Sequence, residues 1–223
     1  VVGCEALARW HHPELGAIPP SLFIPLAEET GLISEISRWV LASATTECRN
    51  WPEDVSVSVN ISARDFRDAD VGGMVREALQ QSGLAPHRLE IEVTETAFID
   101  ERQAATTILS ALAAQGIGIA LDDFGTGFSS IAFLMRFPVD TIKIDRVFIE
   151  GLGKSADSEA IVAAVIAMSH ALGKSVIAEG VETGEQLALL RKLGCDEIQG
   201  FFVSRALPAA QFAAFVRSRE LVS

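Results

Sequence analysis

Seven short runs rich in β-branched residues each end at a polar side chain that could take part in chemistry. These side chains belong to Glu5, Asn60, Glu92, Asp122, Asp123, Lys143, Glu179 and Gln199. Most of them offer oxygen atoms, and such ligands suit hard cations like Mg²⁺, Mn²⁺ or Ca²⁺ rather than a structural zinc ion. If the fold gathers these carboxylates, cations must neutralise their mutual repulsion. The pattern therefore predicts a metal site.

The adjacent carboxylates of Asp122 and Asp123 suit two ions, because one can bridge the pair while the other binds a single ion. Two ions about 3.5–4 Å apart are the usual clamp for in-line cleavage of a phosphoester, and they lower the pKa of a bound water. Lys143 would place a positive charge near the attacking water or near the charge that develops on the phosphoryl group. These residues predict metal-dependent phosphodiester hydrolysis.

The elements that must position these residues alternate between short strands and longer amphipathic helices. Strands are predicted over residues 1–7, 55–61, 88–94, 117–121, 140–144, 175–178 and 197–199. Helices are predicted over residues 21–29, 34–49, 70–82, 100–115, 129–136, 158–172 and 183–193, with a last helix opened by Pro208. Ser34 is a candidate N-cap, and Gly83, Gly116, Gly173 and Gly194 are candidate helix stops.

This alternation predicts parallel βαβ units and an α/β fold, as a single domain over residues 1–223. A closed TIM-like (β/α)8 barrel needs eight strands, so the first strand is expected upstream of Val1, in an N-terminally truncated domain. In such a barrel all the strand ends meet at one face, where the active site lies. The alternative is an open doubly wound sheet, which the lack of a G-x-G-x-x-G motif disfavours.

Each residue taken alone has a simpler interpretation. Asp122–Asp123 could belong to a capped turn, Lys143 could be a surface lysine, and Asn60 could satisfy backbone groups at a strand end. Glu179 and Glu182 could favour the start of a helix through its dipole. The joint pattern favours a site, because buried unpaired charges cost several kcal/mol.

Composition narrows the partners and the location. The formal net charge of −12 disfavours DNA, RNA and anionic membrane surfaces, all of which are bound through Lys and Arg. No apolar stretch reaches the roughly 20 residues that a membrane span requires. The three cysteines, Cys4, Cys48 and Cys195, lack metal-ligand spacing and are interpreted as reduced, mostly buried thiols. A cytoplasmic protein is expected.

At these residues the sequence resembles the EAL-domain family of bacterial cyclic di-GMP phosphodiesterases, over essentially the whole chain. The motifs that carry the resemblance are Glu5-Ala6-Leu7-Ala8-Arg9-Trp10, residues 18–28, Val59-Asn60-Ile61-Ser62, Glu92-Val93-Thr94-Glu95, Asp122-Asp123-Phe124-Gly125-Thr126-Gly127, Lys143-Ile144-Asp145, Glu179-Gly180-Val181-Glu182 and Gln199-Gly200-Phe201. Each motif is weak by itself, but the full set in this order is highly specific. Phe128 and Phe201 stand where tyrosine is common in the family.

The resemblance implies hydrolysis of cyclic di-GMP to linear pGpG with two Mg²⁺ or Mn²⁺ ions, and Ca²⁺ is expected to bind and inhibit. Its metal ligands would be Glu5, Asn60, Glu92 and Asp122 for one ion, and Asp122 and Asp123 for the other, which Glu179 would reach directly or through water. Glu5 and Glu179 would also count among the catalytic residues, with Lys143 orienting the nucleophilic water and Gln199 in the same water network.

The resemblance also implies substrate contacts, a supporting loop and partners. The substrate contacts would come from Leu7, Arg9, Pro20, Asn60, Asp145 and Glu182. The loop that couples metal binding to dimerisation would run from Phe124 to Ser130, including Gly125, Thr126 and Gly127, with Glu95 supporting it. A homodimer is implied, as is fusion to or regulation by a sensory or GGDEF domain outside this chain.

Two other functions compete with hydrolysis. A cyclic di-GMP-binding sensor with weak or no activity would be expected to lose an acid or the lysine, and none is lost. A barrel aldolase would use Lys143 as a Schiff base, but the surrounding carboxylates would keep that amine protonated.

Overall fold

The computed structural model describes residues 1–95, 102–125, 134 and 137–220 of the 223-residue chain. Its strands are β1 (Gly3–Ala6), β2 (Trp10–His12), β3 (Gly16–Ile18), β4 (Ser56–Asn60), β5 (Leu89–Thr94), β6 (Gly118–Phe124), β7 (Thr141–Ile144), β8 (Ser175–Ala178) and β9 (Glu197–Ile198). Its helices are α1 (Pro20–Thr30), α2 (Ile33–Cys48), α3 (Asp65–Asp68), α4 (Val71–Ser82), α5 (Arg102–Ala113), α6 (Arg146–Ile149), α7 (Ala156–Ala171), α8 (Gly184–Leu193) and α9 (Ala209–Glu220). A short 3₁₀ helix covers Pro86–Arg88.

The chain forms two compact units. Unit 1 comprises residues 1–93, the described part of 97–118, and the chain from residue 208 onward. In it, β1 pairs with β4 and β4 with β5, all in parallel, and α2 packs against α4. Apolar residues such as Leu41, Val59 and Ile91 are fully buried between these elements. The Trp51 ring meets the Phe212 ring of α9 with their centroids 4.8 Å apart.

Unit 2 comprises residues 94–96 and 119–207, of which residues 96, 126–133, 135 and 136 lie outside the described ranges. In it, β6 pairs with β7, β7 with β8, and β8 with β9, all in parallel. Helices α6, α7 and α8 bury their apolar side chains against β7 and β8, around a cluster that includes Ile144, Val162, Val176 and Leu190. The apolar runs of these strands are thus covered, as parallel strands require.

Most predicted elements are present, with shifted ends. The first strand, β1, is shorter than predicted, and it begins at Gly3 and ends at Ala6. Strand β6 is longer and runs to Phe124, so both aspartates lie inside it. The predicted helix over residues 129–136 lies outside the described residues apart from Leu134. Seven parallel strands are found among the described residues, as predicted, and they confirm the α/β class.

Two local predictions need correction. Ser34 does not cap α2, because that helix begins at Ile33 after Leu32, and the Ser34 hydroxyl instead donates to the Asp65 carboxylate. The antiparallel pair of β2 and β3 was not predicted, since three-residue strands give too short a pattern to detect. Its turn is fastened by the His12 imidazole, whose Nδ1 accepts hydrogen bonds from the Glu14 and Leu15 amides.

Two of the four predicted glycine stops cap a helix directly, whereas α5 ends three residues before Gly116 and α7 ends two residues before Gly173. Gly83 and Gly194 cap α4 and α8 in the left-handed conformation that glycine tolerates best. Asp70 caps the start of α4, and Thr183 and Gln186 form a capping box at the start of α8. No helix among the described residues is both long enough and apolar enough to span a membrane.

The three cysteines are free thiols, as predicted. Cys48 is buried, while Cys4 and Cys195 are half-buried. Burial raises the pKa of Cys4 to about 12 and that of Cys195 to about 11, so neither forms the reactive thiolate readily.

Candidate active site

A β-bulge brings two consecutive aspartates into one group of side chains. Leu121 pairs with Ile142 and Phe124 with Ile144, so β6 has two residues, Asp122 and Asp123, where β7 has only Lys143. Successive side chains of a regular strand point to opposite faces, and a bulge changes that alternation. Asp123 sits at φ 56°, the only positive φ of a non-glycine residue in the described part of the chain. Aspartate is among the few residues that tolerate this conformation.

The bulge completes a group of three carboxylates, here called the acidic cluster: Asp122, Asp123 and Glu179. Each residue offers one carboxylate oxygen, and the three oxygens lie within 4.8 Å of one another. Ligand atoms around a hard divalent ion lie about 2.0–2.6 Å from it, so oxygens at this spacing can share one ion. The donor set therefore fits Mg²⁺, Mn²⁺ or Ca²⁺.

Lys143 lies beside the acidic cluster and is almost completely buried, with 1% of its side chain exposed. Its Nζ atom is 2.7 Å from Glu179 Oε1 and 3.3 Å from Asp122 Oδ1. Desolvating an ammonium group is costly, and only close anionic partners offset that cost. The buried lysine thus fixes two of the three carboxylates, and the interpretation of Lys143 as a surface residue is wrong.

Asp123 shows how strongly the cluster concentrates negative charge. Burial, the neighbouring Asp122 carboxylate and a hydrogen bond with Asp145 together raise the pKa of Asp123 to about 6, although Lys143 opposes the shift. The raised pKa shows that a further negative charge is unfavourable beside the neighbouring acids. A bound cation would therefore be favourable at this position.

Strand register and backbone hydrogen bonds place Gln199 on the same side of unit 2 as Lys143 and Glu179. Lys143 pairs with Ile177, which pairs with Glu197, so Lys143, Glu179 and Gln199 share one face of the sheet. The Gln199 amide donates to the Ala178 carbonyl at 2.8 Å, and the Gln199 carbonyl accepts from the Val181 amide at 3.0 Å. Gln199 is therefore held directly beside the segment that carries Glu179.

Asp145 and Glu182 lie at the rim of the same unit. The Asp145 carboxylate contacts Asp123 and accepts the Val147 amide at 2.7 Å, which caps α6. Glu182 is exposed, and its Oε1 lies 3.5 Å from an Arg146 nitrogen. The family resemblance assigns Asp145 to the substrate and does not predict its contact with the acidic cluster. Asp145 lies two residues after Lys143, and side chains at that spacing along a strand lie on the same face, so the sequence contained a signal for this contact.

Glu95 holds the start of the loop that follows β6. Its carboxyl group is buried, and Oε1 accepts the Gly125 amide at 3.1 Å. Gly125 has φ 97°, and a Cβ atom there would lie 2.9 Å from the Phe148 ring. Both the backbone conformation and the lack of space therefore require glycine at this position. Phe124 is buried, whereas Thr126 and Gly127 lie outside the described residues.

Unit 1 carries a second group of polar residues, here called the strand-end trio: Glu5, Asn60 and Glu92. Glu5 pairs with Ser58, and Asn60 pairs with Glu92, so the regular register places all three on one face. Asn60 Nδ2 donates to Glu5 Oε1 at 2.6 Å. Asn60 is exposed and Glu92 is buried.

The predicted substrate residues of unit 1 are all exposed. Leu7 follows β1 with 45% of its surface exposed, and Pro20 opens α1. Arg9 is exposed as well, and its guanidinium donates to the Ala8 carbonyl at 2.9 Å. These three residues are thus accessible to a ligand.

Comparison with known proteins gives a consistent result. The family model described as "EAL domain" matches residues 1–206. The bifunctional diguanylate cyclase/cyclic di-GMP phosphodiesterase MucR of Pseudomonas aeruginosa is 44% identical over 220 residues, which cover 97% of this chain and 32% of MucR. The chain thus spans about a third of that relative's length.

Solved structures also resemble the chain, among them the following two. The MucR phosphodiesterase in complex with c-di-GMP has a TM-score of 0.90 and 45% identity, covering 95% of this chain and 87% of that one. The calcium/cy-diGMP complex of BlrP1 from Klebsiella pneumoniae has a TM-score of 0.75 and 33% identity, covering 85% of this chain and 48% of that one. The first match confirms the predicted TIM-like fold class.

Proposed function

The chain belongs to the EAL domain family, and on that premise we propose that it is a metal-dependent phosphodiesterase that hydrolyses cyclic di-GMP to linear pGpG. The observation that carries the proposal is the acidic cluster with the buried Lys143 beside it. The substrate follows from the relatives, since MucR is named a cyclic di-GMP phosphodiesterase and its structure is a complex with c-di-GMP.

The acidic cluster is the proposed metal site of unit 2. Asp122, Asp123 and Glu179 would hold Mg²⁺ or Mn²⁺ through their carboxylate oxygens. A bound divalent ion supplies positive charge to a phosphodiester and lowers the pKa of a water ligand. The calcium in the BlrP1 complex supports a site for hard cations in this family, and Ca²⁺ is proposed to bind here without supporting turnover.

Lys143 has two proposed roles, which follow from its contacts. It holds Asp122 and Glu179 in place through Nζ, so the cluster keeps its geometry before a metal binds. It also keeps a fixed positive charge beside the position of the attacking water and the developing charge of the transition state. Gln199, fastened next to Glu179, is proposed to orient the same water.

The roles of the strand-end trio and of the substrate residues rest on the family resemblance. Glu5, Asn60 and Glu92 are proposed metal ligands, and the register of unit 1 supports this by placing the three side chains together. The proposed substrate contacts are Leu7, Arg9, Pro20, Asn60, Asp145 and Glu182. A homodimer, a cytoplasmic location and a fused sensory or GGDEF domain are proposals of the same kind.

The contacts of Lys143 argue against an aldolase. A Schiff base requires a neutral amine, and carboxylate oxygens at 2.7 and 3.3 Å favour the charged ammonium form. Failure to trap Lys143 with borohydride and a carbonyl compound would agree with this argument.

The decisive experiment follows the products of cyclic di-GMP by chromatography. The purified chain is incubated with the dinucleotide in Mg²⁺, Mn²⁺, Ca²⁺ or EDTA. We expect pGpG in Mg²⁺ and Mn²⁺ and none in EDTA or Ca²⁺. The matched control is Asp157→Asn, an acid at the start of α7, which should cleave like the wild type, whereas Asp122→Asn should not. Tight binding in Ca²⁺ without cleavage in any metal would instead identify a sensor.

A further inference from the structure

The turn that follows Asn60 is fastened at both of its ends. The Ile61 amide donates to the Glu92 carbonyl at 2.9 Å, which ties the start of the turn to β5. The Asp65 amide donates to the Ser62 carbonyl at 3.0 Å, which closes the turn onto α3. Residues 61–65 thus connect Asn60, at the end of β4, to α3.

Asp65 ties the far end of this turn to α2. Its side chain is fully buried, with 0% exposed. Ser34 Oγ donates to Asp65 Oδ1 and Ser37 Oγ donates to Asp65 Oδ2, each at 2.6 Å. Both serines lie in the first two turns of α2, where the helix dipole favours a negative group. A buried carboxylate with two short hydrogen bonds is costly to disturb, because each lost partner leaves a polar atom unsatisfied.

Glu28 of α1 fastens the same turn at a second point. Ser62 Oγ donates to Glu28 Oε1 at 2.7 Å, and the Arg64 guanidinium donates to the Glu28 carbonyl oxygen. Ser62 Oγ also accepts the Arg64 amide at 3.2 Å. Helices α1 and α2 thus hold the turn through different side chains, and the acid at the α2 contact, Asp65, is fully buried.

We propose that Asp65 is a positioning residue, which acts through the turn of residues 61–65 to place the Asn60 amide for metal binding. The inference rests on the proposed function, in which Asn60 is a metal ligand. Asn60 Nδ2 donates to Glu5 Oε1, so Oδ1 is the atom of that amide that can bind a cation. A small shift of the turn would break this orientation without removing a ligand.

The test uses Mn²⁺ binding to the purified chain without substrate, measured from the electron paramagnetic resonance signal of free Mn²⁺. Asp65→Asn keeps the shape of the side chain and removes its charge. Asp68→Asn on the same short helix is the matched control, because Asp68 is exposed and its carboxylate pairs with Arg64 and Arg67. Asn60→Ala is the reference for a lost ligand.

We expect Asp65→Asn to weaken Mn²⁺ binding by about 10-fold or more, as for other groups that orient metal ligands, while Asp68→Asn binds like the wild type. In the hydrolysis assay, Asp65→Asn should need correspondingly more Mn²⁺ than the wild type for half-maximal activity. Saturating Mn²⁺ should restore its kcat to within about 2-fold of the wild-type value. A merely structural role would lower the unfolding temperature and leave Mn²⁺ binding unchanged, which would overturn the proposal.

The outcomes separate the positioning role from the proposed function. If Asn60→Ala binds Mn²⁺ as tightly as the wild type, Asn60 is no ligand and the positioning role is wrong, even if the wild type cleaves cyclic di-GMP. If the wild type binds Mn²⁺ but cleaves nothing, and Asp65→Asn binds more weakly, the positioning role holds and the proposed hydrolysis fails. Should Asp65→Asn not fold, Ser37→Ala removes one of the two hydrogen bonds and should give a smaller weakening in the same direction.

Discussion

The acidic cluster of unit 2 and the strand-end trio of unit 1 use the same kinds of side chain but are assembled differently. In the trio, regular parallel pairing is sufficient, because Glu5, Asn60 and Glu92 fall on one face by register alone. In the cluster, a bulge and a left-handed aspartate are needed to bring neighbouring carboxylates together.

The two groups also differ in how their charge is balanced. The cluster has a lysine that is 99% buried in contact with two of its acids, whereas Glu5 of the trio receives a neutral amide hydrogen bond from Asn60. A distorted backbone and a buried ion pair both cost free energy, and such features persist where function requires them. Under the proposed function, the cluster with its buried lysine carries the chemistry, and the trio is expected to act as a set of metal ligands.

The largest expected effect comes from removing the charge of Lys143. Lys143→Met has a similar volume but leaves Asp122 and Glu179 without this cation, so kcat for cyclic di-GMP should fall about 10²–10³-fold. The unfolding temperature without metal should fall as well, because carboxylates lose a buried partner. Steady-state kinetics and thermal unfolding measure the two effects.

Lys154→Met is the control, since Lys154 is an exposed lysine in the same unit. Near wild-type turnover in folded Lys143→Met would refute the view that the cluster carries the chemistry.

Glu5→Ala tests the trio in the same way. Losing a proposed ligand should lower kcat/KM about 10²-fold at low Mg²⁺, with partial recovery at high Mg²⁺, which a titration of activity against Mg²⁺ would show. The fold should be less affected than in Lys143→Met, because Glu5 is only half-buried. Glu14→Ala, an exposed acid in the turn between β2 and β3, serves as the control. A loss that high Mg²⁺ does not relieve at all would contradict a ligand role.

The raised pKa of Asp123 predicts that the stability of the chain depends on pH. Its folded pKa of about 6 lies above the ordinary value of 3.8, so the folded state binds the proton more tightly. The resulting stability is fully present below about pH 4 and is lost as the pH rises through about 6. In EDTA, Asp123→Asn should therefore gain unfolding temperature relative to the wild type as the pH rises from 4 to 7.

Thermal unfolding at several pH values measures this difference, and Asn is suited to the left-handed conformation of residue 123. Asp54→Asn, at an exposed acid of unit 1, is the control and should show no comparable change. Parallel curves for wild type and Asp123→Asn would contradict the charge crowding assigned to the cluster.

The smallest expected effect compares two helix caps, one in each unit. Thr183→Ala removes the α8 cap and Asp70→Ala removes the α4 cap, and each should cost about 1 kcal/mol of the free energy of unfolding. Only Thr183→Ala should also lower kcat, because Thr183 lies four residues after Glu179. Denaturant unfolding measures the stability of the two variants, and steady-state kinetics measures their kcat. Equal activity in the two variants would show that the segment after Glu179 tolerates movement.

The sequence alone determined the α/β alternation, most helix ends and the chemical type of the site. Glycines at 83 and 194 and the caps at Asp70 and Thr183 act through neighbours a few residues away, so their effect is visible in the sequence. Acids at successive strand ends were likewise enough to predict a site for hard cations, and the trio needs nothing beyond regular register.

Only the tertiary structure decided how the residues of the site are held. The bulge at Asp122 and Asp123 depends on pairing with a strand about 20 residues later, and the burial of Lys143 depends on contacts with Asp122 and Glu179. Asp65 looks like a surface acid in the sequence, yet it is fully buried because α2 supplies two hydroxyl groups from about 30 residues away. Local propensity carries no information about such partners, since the free energy that selects them arises only when distant segments pack together.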